Sequence, residues 1–304
     1  MRLPRILRII RVHIVLGGVL AFFLGSLLAI AEGGSFDVTK FVLCYAVVLL
    51  GDLSTHYSND FFDVDVDKYS EQRKFFAGSK VLVHNPNLQP LARSISVSLL
   101  LLSNALAICL VLFLAIPFEF FIIFLGASLA GWFYSAPPLR LVSRGLGEII
   151  IACVTGFAIP ALGYLALRGQ FDPLFLCFAV PFTMYGLILS LSLAASDIEI
   201  DRKGLKRTIA VRKGARSVFS LILILAAAST VAFLFYGQLL PSSTINVGLV
   251  ALFSVVPLLA GLIAFAGISQ KQHVNRLSAL NIAALFVFNA LMIGYLLVIA
   301  LVTL

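Results

Sequence analysis

Charged side chains are scarce in this sequence. Asp, Glu, Lys and Arg make up 12% of its 304 residues, against 61% hydrophobic residues and a mean hydropathy of +1.07. That shortage excludes a soluble globular chain and places the sequence among polytopic membrane proteins. Cysteine is equally uninformative as chemistry: Cys44, Cys109, Cys153 and Cys177 all fall inside apolar stretches, with no metal-ligand spacing. His13, His84 and His273 also lack ligand spacing. The first apolar stretch follows a basic lead but has no small-residue cleavage site, so it reads as a retained helix rather than a removed signal.

What the sequence has in abundance is apolar length. A helix needs about 20 apolar residues to cross the hydrocarbon, and nine stretches qualify: 14–31, 41–62, 95–116, 118–134, 146–167, 174–195, 218–236, 247–268 and 279–304. They leave little room for a separate soluble domain. Counting alternate connections as one side collects 20 of the 22 Lys and Arg residues there, and the other side keeps only Lys40 and Arg168. The positive-inside rule then puts the N-terminus and the long loops in the cytoplasm and the C-terminus outside. The net charge of +8 is thus a topology signal and not a nucleic-acid footprint.

Acidic residues gather at two places. In "SNDFFDVDVDKYSEQRK", residues 58–74, Asn59, Asp63 and Asp67 stand four apart at the end of the second stretch, which puts them on one helix face. Asp52 and His56 extend that stripe into the span, where an ionisable residue is expensive and by default marks a functional pathway. In "SDIEIDRKGLKRT", Asp197 and Asp201 are again four apart at the end of the sixth stretch, and Ser190 and Thr183 continue the face inward at seven-residue steps. Asp63 to Asp197 and Asp67 to Asp201 are the same interval. The expected fold is therefore all-α, nine transmembrane helices in two four-helix halves plus one, around a central cavity.

Carboxylates of this kind, followed by Arg and Lys, suit a hard divalent cation shared with a phosphate group. Mg2+ would bridge a diphosphate to Asp63, Asp67, Asp197 and Asp201, with Asn59 able to hold a metal-bound oxygen or to orient a second substrate. Arg73, Lys74, Lys206 or Arg207 would neutralise the remaining charge. The plainer alternative is that each acid caps or pairs with the basic loop beside it.

"NDFFDVDVD" and "DIEID" fit the NDxxDxxxD and DxxxD patterns of the UbiA-type intramembrane prenyltransferases, and the chain resembles that family along nearly its whole length. The resemblance implies one prenyltransferase domain over 1–304, with cytoplasmic caps at about 63–93 and 197–216. It implies Mg2+-dependent transfer of a prenyl group from an isoprenyl diphosphate to an acceptor, in the cell membrane, with no obligate protein partner evident. Carried over residue by residue, Asn59, Asp63 and Asp67 would form the first metal-diphosphate motif and Asp197 and Asp201 the second. Asp60 and Asp65 are left unassigned. Arg73 and Lys206 resemble the basic residues that follow each motif, and Arg11 lies at the foot of the first helix. "YSAPPLRLVSRGLGE", residues 134–148, resembles the loop of the dihydroxynaphthoate prenyltransferases of menaquinone synthesis, and with "GSKVLV" it tilts the acceptor toward a quinone-type aromatic. A geranylgeranylglyceryl phosphate acceptor is the alternative within the family.

Ionisation of an allylic diphosphate leaves a cation that must be shielded from water, and Tyr134 could offer it a π face or serve as an interfacial anchor. His56 and Asp52, with Ser190, are candidate acceptor contacts; the pair could equally be a self-satisfied polar contact in the bundle. Pro160, Pro181 and Pro257 fall inside spans and are expected to kink them around a cavity. The rival from another class is a transporter with a polar site on the cytoplasmic side, but carboxylates at the rim among Arg and Lys suit headgroup capture better.

Overall fold

The computed structural model describes residues 3–68, 79–204, 206–239, 244–268 and 274–303. Among them there is no strand, and nine helices are long and apolar enough to cross a membrane. These are α1 (Val12–Ala31), α2 (Val38–Phe62), α3 (Pro86–Phe113), α4 (Phe118–Ser135), α5 (Gly147–Arg168), α6 (Pro173–Ser196), α7 (Ile209–Gly237), α8 (Val247–Gly267) and α9 (Val274–Val302). The protein is a multi-pass membrane protein, and each expected stretch falls on one of these helices, though 95–116 runs past the end of α3 into the non-helical residues 114–116. Helices α3, α7 and α9 start earlier than their apolar stretches, with polar first turns, and in α7 those turns are set off by a non-helical Gly214 (φ 79°, ψ 164°).

Corresponding helices of the two halves pack alike: α2 lies along α3, and α6 along α7. Helix α1 packs on α5, while α9 contacts α1, α6 and α8. Helices α1, α2, α4, α5, α6 and α9 surround a cavity of about 490 Å³.

Close crossings hold this ring together. A Cβ on Gly25 of α1 would lie 1.9 Å from the carbonyl oxygen of Pro160 on α5, and one on Gly163 of α5 would lie 2.1 Å from that of Phe22. A Cβ on Gly156 would meet Phe182 O of α6 at 2.3 Å. In lipid, where no hydrophobic force drives helices together, such small-residue contacts supply the packing. Gly25→Leu is therefore expected to lower stability in detergent by about 3 kcal/mol or more, because a side chain cannot enter without moving backbone. Thermal unfolding checks this, and a melting temperature like that of the unmodified protein would contradict the crossing.

The span prolines interrupt helices in different ways. Pro160 follows a π-helical stretch, Cys153–Ala158, whose wider turn suits a residue with no N–H to give. Pro181 lies inside α6, and Pro257 sits just past the division of α8 at Ser254.

Candidate active site

Both acidic motifs sit on the same local structure. The regular helix of α2 ends at Phe62, Asp63 is its C-cap (φ −96°, ψ 7°), and a short helix, Val64–Asp67, follows. Helix α6 ends at Ser196 with Asp197 as its C-cap (φ −112°, ψ 12°), followed by Ile198–Lys203. Each motif is therefore bent at its first aspartate, where the sequence spacing suggested one continuous helix. The bend keeps the one-turn spacing, since Asp67 N–H donates to Asp63 O and Asp201 N–H to Asp197 O, both at 2.8 Å.

The two caps meet. A Cβ on Gly204 would lie 2.4 Å from a methyl of Val66, so glycine is what lets the second cap close on the first. Lys206, on the second cap, reaches the first motif with its Nζ 3.5 Å from Asp63 Oδ2, while its backbone N–H donates to Asp201 O at 2.9 Å. Ser135 Oγ, at the end of α4, donates to Asp63 Oδ2 at 3.0 Å. Asp63 thus joins three elements of the bundle.

Electrostatics at this mouth are those of crowded, partly dehydrated carboxylates. Burial pushes Asp67 up to about 6, with Asp60 and Asp63 adding repulsion. Asp201 is also pushed up to about 6 by burial, which Lys206 opposes. Burial alone would lower Lys206, but Asp63, Tyr134, Asp201 and Asp67 around it prevail and hold its ammonium above the usual lysine range.

The cavity behind this mouth is lined by Asn59, Asp63, Asp67, Asp197, Asp201, Lys206, Tyr134, Arg11, Asp52, His56 and Ser190. Its wall reaches Val48 on α2, 15 residues above Asp63 and so roughly 22 Å deeper at the rise of a helix. Leu24, Phe124, Leu162, Phe182 and Phe288 also line it. The arrangement is a charged mouth on a long apolar chamber.

Several sequence expectations are changed in detail. Arg11 lines the cavity, but its Nη2 is 2.5 Å from Asp60 Oδ1. Asp60 also accepts from Ser79 Oγ, so this buried acid holds the N-terminal arm and the first cap to α2. Asp65 is exposed and, among the described residues, pairs with Lys68 at 2.6 Å. Arg207 is exposed and absent from the cavity wall; its carbonyl packs beside Gly145 instead. Ser190 lines the cavity, yet its hydroxyl donates to Glu148 O at 3.1 Å. Thr183 faces a groove shared with Phe157, Leu176 and Val180, away from the central cavity. Arg73 and Lys74 lie outside the described residues.

His56 is buried on the cavity wall, with Nδ1 accepting from the backbone N–H of Arg11 at 3.4 Å. Its Nε2 is 3.5 Å from Asp52 Oδ1, so the pair is in place one turn apart. Asn59 Oδ1 is buried with no hydrogen-bond partner among the described residues.

Sequence reasoning missed Ser135 and Glu148. Glu148, in the first turn of α5, is 3% exposed and lines the cavity; its Oε1 accepts from the N–H of Ile209 at 2.6 Å, and its Oε2 has no hydrogen-bond partner among the described residues. A lone acid opening an apolar span was the available signal.

Solved structures share this fold. A UbiA homolog from Archaeoglobus fulgidus bound to DMAPP and Mg2+ superposes with a TM-score of 0.67 at 18% identity, over 95% of this chain and 99% of that one. An apo UbiA homolog from Aeropyrum pernix K1 gives 0.68 at 17% identity, over 94% and 98%. A digeranylgeranylglyceryl phosphate synthase structure gives 0.69 at 17% identity, over 97% and 98%. No curated protein matches the sequence. The sequence profile of the UbiA prenyltransferase family matches residues 19–289. With nearly the whole chain matched, and both aspartate motifs at the mouth of one cavity, the protein belongs to the UbiA prenyltransferase family and is a membrane-embedded prenyltransferase.

Proposed function

We propose that this enzyme moves a prenyl group from an allylic diphosphate to an aromatic quinone precursor within the membrane, in the presence of Mg2+. The observation that carries the reading is Lys206 set among Asp63, Asp67 and Asp201 at the mouth of a deep apolar chamber. Among the described residues no three acidic, His or Cys side chains converge to hold a metal alone. That suits Mg2+, which is commonly bound by one or two carboxylates completed by substrate phosphates. The unpartnered Asn59 Oδ1 and the raised carboxylates fit the same role. Asp63 and Asp67 of the first motif, with Asn59, and Asp197 and Asp201 of the second would each offer one or two such ligands to Mg2+, the diphosphate supplying the remaining oxygens. Bound there, Mg2+ would neutralise the diphosphate as charge develops on it.

The chain's own groups supply the rest. Lys206 places a fixed positive charge where the leaving group departs, with Arg11 as a second cation and Arg73 and Lys74 following the first motif in sequence. The apolar wall shelters the allylic cation from water, and Tyr134 presents a π face to it. His56 and Asp52 form a polar patch deeper on the same wall, suited to an acceptor. The tilt toward an aromatic acceptor rests on the loop at 134–148. A second reading, transfer to geranylgeranylglyceryl phosphate, is favoured by the likeness to the digeranylgeranylglyceryl phosphate synthase structure. Incubating the purified protein and Mg2+ with allylic diphosphates of several lengths, against aromatic acids and glyceryl phosphates, separates the two by product mass.

The same reading places the caps and the N-terminus in the cytoplasm. Cysteine labels at the exposed positions Asp65 and Arg202 should react from that side, and one at Ser35 from the other. Labelling of Asp65 and Ser35 from one common side would overturn this topology.

A further inference from the structure

Glu148 has a role that neither acidic motif accounts for. Its Oε1 caps the first turn of α7 through Ile209 N–H, but its Oε2 is a buried acceptor on the cavity wall to which no group among the described residues donates. An ionised oxygen in that position is costly unless a donor arrives. The Tyr134 hydroxyl and the Arg212 guanidinium lie near Glu148, but among the described residues neither hydrogen-bonds Oε2, and the other donors on this wall are engaged. Lys206 is directed at Asp63, the Ser190 hydroxyl is spent on the Glu148 carbonyl, and Arg11 is paired with Asp60. A diphosphate supplies no donor either, since it is anionic and accepts hydrogen bonds only.

We propose that Glu148 Oε2 accepts a hydrogen bond from a hydroxyl of the acceptor substrate and so holds that group toward the start of α5. The inference rests on the prenyl-transfer reading and deepens it. A phenol and a glyceryl phosphate share this chemistry. In both, a carboxylate on the hydroxyl would orient the acceptor and raise the electron density of the group that attacks.

A purely structural role for Glu148, as the cap of α7, makes a different forecast, and Glu148→Gln separates the two. Glutamine keeps a carbonyl oxygen for Ile209 N–H and puts an NH2 donor where Oε2 stands. The variant should melt like the unmodified enzyme and bind Mg2+ with geranyl S-thiolodiphosphate as well as it does. The KM for the hydroxylated acceptor should rise about tenfold or more, as for a lost hydrogen bond to a charged group. The acceptors are 1,4-dihydroxy-2-naphthoate and geranylgeranylglyceryl phosphate, each beside its methyl ether. The arm that turns over identifies the acceptor class. The naphthoate ether, which keeps its attacking ring carbon, should be a poor substrate, and the glyceryl phosphate ether, which has lost its nucleophile, should inhibit competitively but more weakly than its parent binds as substrate.

An unchanged acceptor KM in Glu148→Gln would overturn the proposal. So would loss of analogue binding in that variant, which would mean that Glu148 acts by placing Lys206. Use of the naphthoate ether equal to its parent's, inhibition by the glyceryl phosphate ether as strong as its parent's binding, or rejection of both hydroxylated acceptors by a wild-type enzyme that binds the analogue, would overturn it while leaving the donor reading intact. Failure of the wild-type enzyme to bind the analogue would instead strike the prenyl-transfer reading itself.

Discussion

Asp63→Asn should reduce prenyl transfer by about a thousandfold or more, the scale of losing a group that stabilises charge in the transition state, while leaving the protein folded. The side chain keeps its size, and asparagine can still accept from Ser135 Oγ, so the junction of α2 with α4 survives. What is lost is the negative charge that Lys206 faces at 3.5 Å and that an Mg2+ ion would need. Asp65→Asn is the matched control, because that side chain is exposed and pairs with the exposed Lys68; its turnover should stay within about twofold. Product formation by mass spectrometry, beside thermal unfolding in detergent, reads both. Turnover by Asp63→Asn within tenfold of wild type would remove Asp63 from the chemistry, and a large fall in its melting temperature would make it structural.

The parts of this molecule that were legible in the sequence are those in which one local pattern decides the outcome. Apolar length gave nine helices, and the four-residue spacing gave two carboxylate pairs that stay one turn apart across a bend. The bends themselves were not legible, because residue spacing does not reveal where a helix stops being straight. Thr183 was expected to face inward, but a seven-residue step drifts by about 20° per heptad, so two steps back from Asp197 carry it about 40° off the face.

Long-range partners were the larger blind spot. The pairing of Arg11 with Asp60 joins residues 49 apart, and it turns an expected diphosphate ligand into a side chain shared with a structural acid. Glu148 meets a backbone N–H 61 residues away. Such a partner has no side-chain signature, so a lone glutamate beside a glycine carried no spacing to read.

The strongest dependence expected of the intact protein is on metal. Geranyl S-thiolodiphosphate should bind at least about a hundredfold more tightly with Mg2+ than with EDTA, since without the ion the ligand's charge faces Asp63, Asp67 and Asp201 across a partly dehydrated mouth. Trp132, the single tryptophan, offers the signal. Its ring lies edge-on to Phe62, with centroids 5.7 Å apart, next to the residue that caps α2, so ligand at Asp63 should change its emission. Lys206→Ala should weaken binding by about 1 to 3 kcal/mol without erasing it, typical of one lost charge-assisted contact. The chamber should contribute separately. Inorganic diphosphate, which buries no chain against Leu24, Phe124 and Phe182, should bind more weakly than the prenylated analogue, by about 0.8 kcal/mol for each methylene that the longer ligand removes from water. The two dependences test different parts of the cavity, the metal the carboxylates and the tail the wall. Binding that ignored Mg2+ would separate the aspartates from the diphosphate, and binding that ignored the prenyl tail would leave the deep chamber without its proposed occupant.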